Sequence, residues 1–125
     1  MRAADAIEKI TLNNPNYLTQ HKNDIVKLCD TARNIELKWH LALLVSRVSL
    51  TKKEFGKVWQ ILTSWAMDKK ESKIVRVNSM QGLFNLLSQH QELKQDFYLT
   101  ITEMEKENIP SINARVKKLK QASHL

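Results

Sequence analysis

The sequence predicts an all-α fold: one domain over residues 1–125, made of about seven helices with short connections. Three observations carry that prediction. Only four of the 125 residues are glycine or proline, against about 12% in average usage. Apolar residues recur at helical spacing along most of the chain. A composition that is 42% apolar and 26% charged suits a single core, and a domain of this size buries roughly two-thirds of its unfolded surface. The scarcity of turn residues argues against small β sandwiches and barrels, which need them every ~8–12 positions. Gly56 and Gly82 stand far apart, so neither a P-loop nor a dinucleotide fingerprint exists here.

The elements follow in order. A first helix is expected over about 2–12, with Ala3, Ala6, Ile7 and Ile10 on one face. Asn13-Asn14-Pro15 ends it and starts the next, with Asn14 as N-cap and Pro15 as first helical residue. The second helix, about 15–32, aligns Leu18, Ile25, Cys29 and Ala32, with Leu28 beside them. After a turn at Arg33-Asn34, the third helix, about 35–48, carries Leu37, Leu41, Leu44, Val45 and Val48. Trp39, Ala42 and Leu43 widen that stripe, the mark of a helix covered on more than one side.

Thr51-Lys52-Lys53-Glu54 is a capping box, with Leu50 and Phe55 at the staple positions around it. The fourth helix then runs through Phe55, Val58, Trp59, Leu62, Trp65 and Ala66 to a stop near Asp68-Lys69-Lys70, where lysines suit the negative end of the dipole. The fifth, about 72–89, holds Val77, Met80, Leu83, Phe84 and Leu87. The sixth, about 91–107, holds Leu93, Phe97, Ile101 and Met104. Ile109-Pro110 breaks the chain, and the seventh, about 110–121, carries Ile112, Val116 and Leu119 before a frayed tail. Short loops imply that successive helices pack antiparallel. Both glycines fall inside helices, where a close helix contact is the expected reason for them.

The net charge is +7 and unevenly spread. Residues 91–109 carry five acids and two bases, whereas residues 110–125 carry four bases and no acid. An excess of positive charge draws anionic partners from a distance and does not specify the fold. The single cysteine, Cys29, excludes an internal disulfide and a zinc spacing, and its stripe position suggests a buried thiol in a reducing compartment. The N-terminal MRAADAIEKI has no apolar signal region, and the longest apolar run, Leu41–Val45, is far short of the ~20 residues of a membrane span. A soluble, cytoplasmic protein with no membrane contact is expected.

Chemistry-bearing constellations are sparse. His21, His40, His90 and His124 stand apart, and His21 with Asp24 is only an i, i+3 pair. Cys29 has no local base, and Ser46, Ser64, Ser79 and Ser88 fall within helices rather than on a nucleophile turn. Glu103, Glu105 and Glu107 read as a solvated acidic face. Trp59 and Trp65 lie on an apolar stripe, while Trp39 is offset and expected to be partly exposed. No catalytic, metal or cofactor site is expected, and the protein is read as a non-enzyme.

A repeat supplies the functional expectation. The third, fifth and seventh helices open alike, as Glu36-Leu37-Lys38-Trp39-His40, Ser72-Lys73-Ile74-Val75-Arg76 and Ser111-Ile112-Asn113-Ala114-Arg115. His40, Arg76 and Arg115 are 36 and 39 residues apart, within the range of helical-repeat periods. With Val75-Arg76 followed by Met80 and Leu83-Phe84, and Ala3-Ala4-Asp5-Ala6-Ile7 in the first helix, the chain resembles the HEAT/armadillo-like class of α-helical repeats. An ordinary helix bundle with a coincidental period is the alternative.

The resemblance implies an α-α superhelix of about three helix pairs plus one extra helix, whose second-of-pair helices line a concave face. The function it implies is a non-catalytic scaffold that binds a protein or peptide there. Lys38, His40, Lys73, Arg76, Arg115, Lys117 and Lys118 then become candidates for a basic stripe on that face. Sequence-independent nucleic-acid binding through such a stripe is the alternative function. Against a functional stripe stands the expectation that Arg76 and Arg115 pair with carboxylates of a neighbouring repeat while the lysines are simply solvated. A first helix without its own partner further implies an incomplete array, or cover by an N-terminal partner or a second copy.

Overall fold

A computed structural model describes residues 22–123. The first helix, the Asn13–Pro15 cap, the beginning of the second helix, the N-terminal partner, His21 and His124 lie outside the described residues. Within them are α1 (Lys22–Thr31), α2 (Ile35–Val45), α3 (Lys52–Met67), α4 (Lys73–Leu86), α5 (Lys94–Glu105, after a 3₁₀ turn at Gln91–Leu93) and α6 (Pro110–Ser123). No strand occurs among the described residues.

Local chemistry sets the boundaries. Asn34 is more than a turn residue: its side chain accepts from Leu37 N at 3.1 Å and caps α2. α2 stops at Val45, earlier than expected, because the Ser46 hydroxyl turns back to donate to Leu43 O at 2.8 Å. The Thr51–Glu54 capping box opens α3 with both reciprocal bonds, Thr51 N to Glu54 Oε1 at 2.9 Å and Glu54 N to Thr51 Oγ1 at 3.2 Å. At the other end Asp68, not a lysine, closes the helix and receives Lys70 N on its carboxylate. Ser72 caps α4, which ends at Leu86, so Leu87–Gln89 belong to a turn rather than to the helix. Asn108 reverses the chain after α5 with φ 57°, a left-handed conformation that asparagine tolerates better than most residues. Pro110 then begins α6, where its missing N–H costs nothing.

The helices form two layers. α2 packs on both α1 and α4, and α4 packs in turn on α3 and α6. α1, α3 and α5 make the other layer, each touching the next. Cross-helix pairs fix the directions. Lys38 near the start of α2 bonds Glu71 before α4, and Ser46 at the end of α2 bonds Asn85 at the end of α4. Arg76 early in α4 bonds Glu107 before α6. The helices of the α2–α4–α6 layer therefore run parallel to one another, each linked to the next by an antiparallel helix of the other layer.

The core lies between the layers. Val58, Leu62 and Ala66 of α3, Val75, Met80 and Leu83 of α4, Phe97 and Ile101 of α5, and Ile112 and Val116 of α6 are fully buried. The expected apolar stripes account for most of these residues. Leu28, by contrast, is 40% exposed.

The two glycines part company. A methyl group at Gly82 would sit 2.5 Å from Ala42 O and 3.1 Å from Leu62 Cδ1, so glycine is what lets α4 approach α2. A methyl at Gly56 would meet nothing within 4 Å. The close contact expected at Gly56 does not exist, because that side of α3 faces solvent.

Candidate functional site

The structure separates the seven candidate basic-stripe residues into two sets. Lys38, His40 and Arg76 are turned into the fold. The Lys38 ammonium lies 2.6 Å from Glu71 Oε2 and 5.5 Å from the centre of the Trp65 ring, with both partners of the ion pair largely buried. His40 is buried, with its ring stacked on Trp39 at 3.7 Å. Arg76 is 2% exposed. Its Nε donates to Ala66 O at 2.8 Å, and its two terminal nitrogens grip both oxygens of Glu107 in a bidentate pair. Hydrogen bonds from that guanidinium hold the Glu107 carboxyl below the usual carboxylate range, against the opposing effect of desolvation.

Lys73, Lys117 and Lys118 are exposed and Arg115 is half-buried. Arg115 does not meet the expected carboxylate: its Nη1 donates to the neutral Gln81 Oε1 at 2.7 Å. Its charge is therefore not cancelled within this contact. Lys120 is turned the other way, toward α5, where it meets Glu105 at 3.4 Å and the Tyr98 ring at 5.0 Å.

Arg115 belongs to a polar chain that sequence reading missed. Gln81 Nε2 donates to Asn85 Oδ1 at 3.1 Å, and Asn85 Nδ2 donates to Ser46 Oγ at 3.4 Å. This chain crosses from α6 over α4 to the end of α2, so it identifies one shared face of the three parallel helices. Helical spacing extends that face. On α2 it runs through Ile35, Trp39 and Leu43 to Ser46; on α4 through Ile74 and Asn78 to Gln81 and Asn85; on α6 through Ser111, Arg115 and Lys118. Ile35 is 51% exposed and Ile74 47%, the two largest apolar exposures on this layer. The face thus carries Ile35 and Trp39 on α2, beside Arg33 and Glu36, Ile74 at the start of α4, and two cations on α6.

The signal for the missed partners was present but indirect. Glu71 and Glu107 each stand shortly before a helix of the α2–α4–α6 layer and 36 residues apart, the spacing of His40 and Arg76, although the base that Glu71 meets is Lys38, two residues before His40. Gln81, Asn85 and Ser46 carry no signature of their own and become visible only once α2 and α4 are known to be parallel.

Other features offer less. Cys29 is buried, and its thiol is pushed up to about 12, by desolvation first and by the Asp30 charge second, so it is a poor nucleophile. No group of three metal-ligating side chains converges among the described residues, and no described helix is long and apolar enough to cross a membrane. Compared with protein families, curated proteins and solved structures, the chain matches none.

Proposed function

We propose that this chain is a non-catalytic scaffold of HEAT-like helix pairs that binds a protein or peptide on the face shared by α2, α4 and α6. One observation carries the reading: the three parallel helices carry, at helical spacing on one side, exposed apolar side chains, Ile35 and Ile74, and the hydrogen-bonded track from Arg115 to Ser46. Exposed apolar groups set among polar ones are the usual composition of a protein-binding patch. The recurrence of an ion pair near the start of α2 and then of α4, Lys38–Glu71 and Arg76–Glu107, supports the repeat and a superhelical stacking of the pairs.

The same pairs weaken the nucleic-acid reading. Phosphate binding through a stripe draws on free cations, and Lys38 and Arg76 are already neutralised by carboxylates.

Panning a library of random linear peptides on the immobilised full chain tests the proposal. Peptides should be selected that no longer bind Trp39→Ala or Ile74→Asp and that still bind Gln60→Ala on the opposite layer. Selection of no peptide, or of peptides indifferent to Trp39 and Ile74, contradicts it.

A further inference from the structure

We infer that the segment this face receives is acidic at one end and apolar at the other, lying across the helices with its carboxylates on α6 and its apolar side chain on α2. The inference rests on the binding face proposed above and adds the chemistry and direction of its ligand.

Charge is the first argument. α6 carries four bases and no acid. Lys120 is committed to α5. Arg115 is held in place by a neutral amide, and Lys118, one helical turn further on, enters no ion pair among the described residues. Two cations on one turn, one of them fixed in orientation, suit a carboxylate better than a neutral group. Arg115 offers the planar fork that pairs with it, and Gln81 stops the guanidinium from folding away. Each preorganised side chain lowers the ordering cost of binding.

The opposite end differs in kind. Trp39 is half-buried and fixed by its stack on His40. One turn before it Ile35 is half exposed, and Ile74 stands at the equivalent place on α4. A rigid aromatic with an exposed aliphatic one turn before it, in a depression whose rim is formed by Arg33, Asn34 and Glu36, is a seat for an apolar side chain. Between the ends, Asn78, Gln81 and Asn85 present amides that can meet a peptide backbone.

Length follows from packing. Three helices at interaxial distances of about 8–10 Å place the two ends roughly 16–20 Å apart. An extended strand covers that in about five or six residues at ~3.3 Å each. A phosphate backbone offers the charge but repeats it at every step and brings no apolar end, so an acidic peptide fits this arrangement better than nucleic acid does.

The test compares peptide pools selected from one random library on the wild-type chain and on Arg115→Glu/Lys118→Glu. The wild-type pool should be enriched in Asp or Glu about five residues from Trp, Phe or Leu. Its members should bind the double variant at least about tenfold more weakly, and the variant's own pool should carry Lys or Arg in place of the acids. Lys118→Ala, which breaks no ion pair or hydrogen bond among the described residues, should weaken the same peptides in the same direction, and equal melting temperatures exclude unfolding as the cause. Peptides lost on Trp39→Ala but without acids, or with acids that survive the charge reversal, overturn this inference and leave the binding face standing. Selection of no peptide overturns both. Competition by oligodeoxythymidine at low salt, lost on charge reversal, also overturns it, because the cations would then serve a phosphate backbone.

Discussion

At the scale of single residues, the pair between Arg76 and Glu107 has the clearest consequences. Arg76 is 2% exposed and satisfies a backbone carbonyl as well as a carboxylate. Removing the carboxylate leaves the buried guanidinium uncompensated, and Glu107→Ala should cost about 3–5 kcal/mol in urea unfolding. The pH dependence has a definite sign. Glu107 titrates lower in the folded state than in the unfolded chain, so the unfolded state binds more protons as the acid range is entered. The pair's contribution is complete above the ordinary glutamate range and is lost as the pH falls through the lowered folded value. Stability measured from pH 7 down to pH 3 should therefore fall less steeply in Glu107→Gln than in the wild type. Parallel curves would show that the pair does not contribute.

At the scale of elements, the contact between α2 and α4 depends on a missing side chain. Gly82→Ala places a methyl against the backbone oxygen of Ala42, which cannot swing aside as a flexible side chain would. The helices must separate, at about 1–3 kcal/mol, and the Ser46–Asn85 bond should loosen with them. Gly56→Ala meets open space on a solvent-facing helix and should stabilise by about 0.5–1 kcal/mol through lower backbone entropy in the unfolded chain. Thermal melts of the two variants should move in opposite directions, and equal shifts would refute the contact.

This pair of glycines also marks what sequence alone conveys. Periodicity located α3 and α6 closely, because caps and apolar spacing are local. It gave both glycines one explanation, because whether a glycine faces a neighbour or water depends on tertiary packing. The candidate site shows the same division. The repeat brought His40, Arg76 and Arg115 into correspondence, yet His40 is buried against Trp39, and Arg76, like the neighbouring candidate Lys38, is neutralised by an acid more than 30 residues away. The track through Gln81 and Asn85 was invisible for that reason: uncharged amides acquire meaning only from the helix laid beside them.

At the scale of the whole molecule, the proposed function makes one layer of helices the support and the other the binding surface. α1, α3 and α5 hold α2, α4 and α6 parallel, and the charges used for that alignment are withdrawn from the solvent. On the shared face remain Trp39 and Ile74 at one end and Arg115 and Lys118 on α6. The central claim is that ligands bind across this face. Its most direct test is a two-dimensional ¹H–¹⁵N spectrum of the full chain titrated with a peptide from the wild-type selected pool. The indole N–H of Trp39, the side-chain amides of Asn78 and Gln81, and the backbone amides around Arg115 and Lys118 should shift together, while Gln60, Asp96 and Thr100 on the other layer stay still. Shifts confined to α3 and α5, with the α2–α4–α6 face unmoved, would contradict the account.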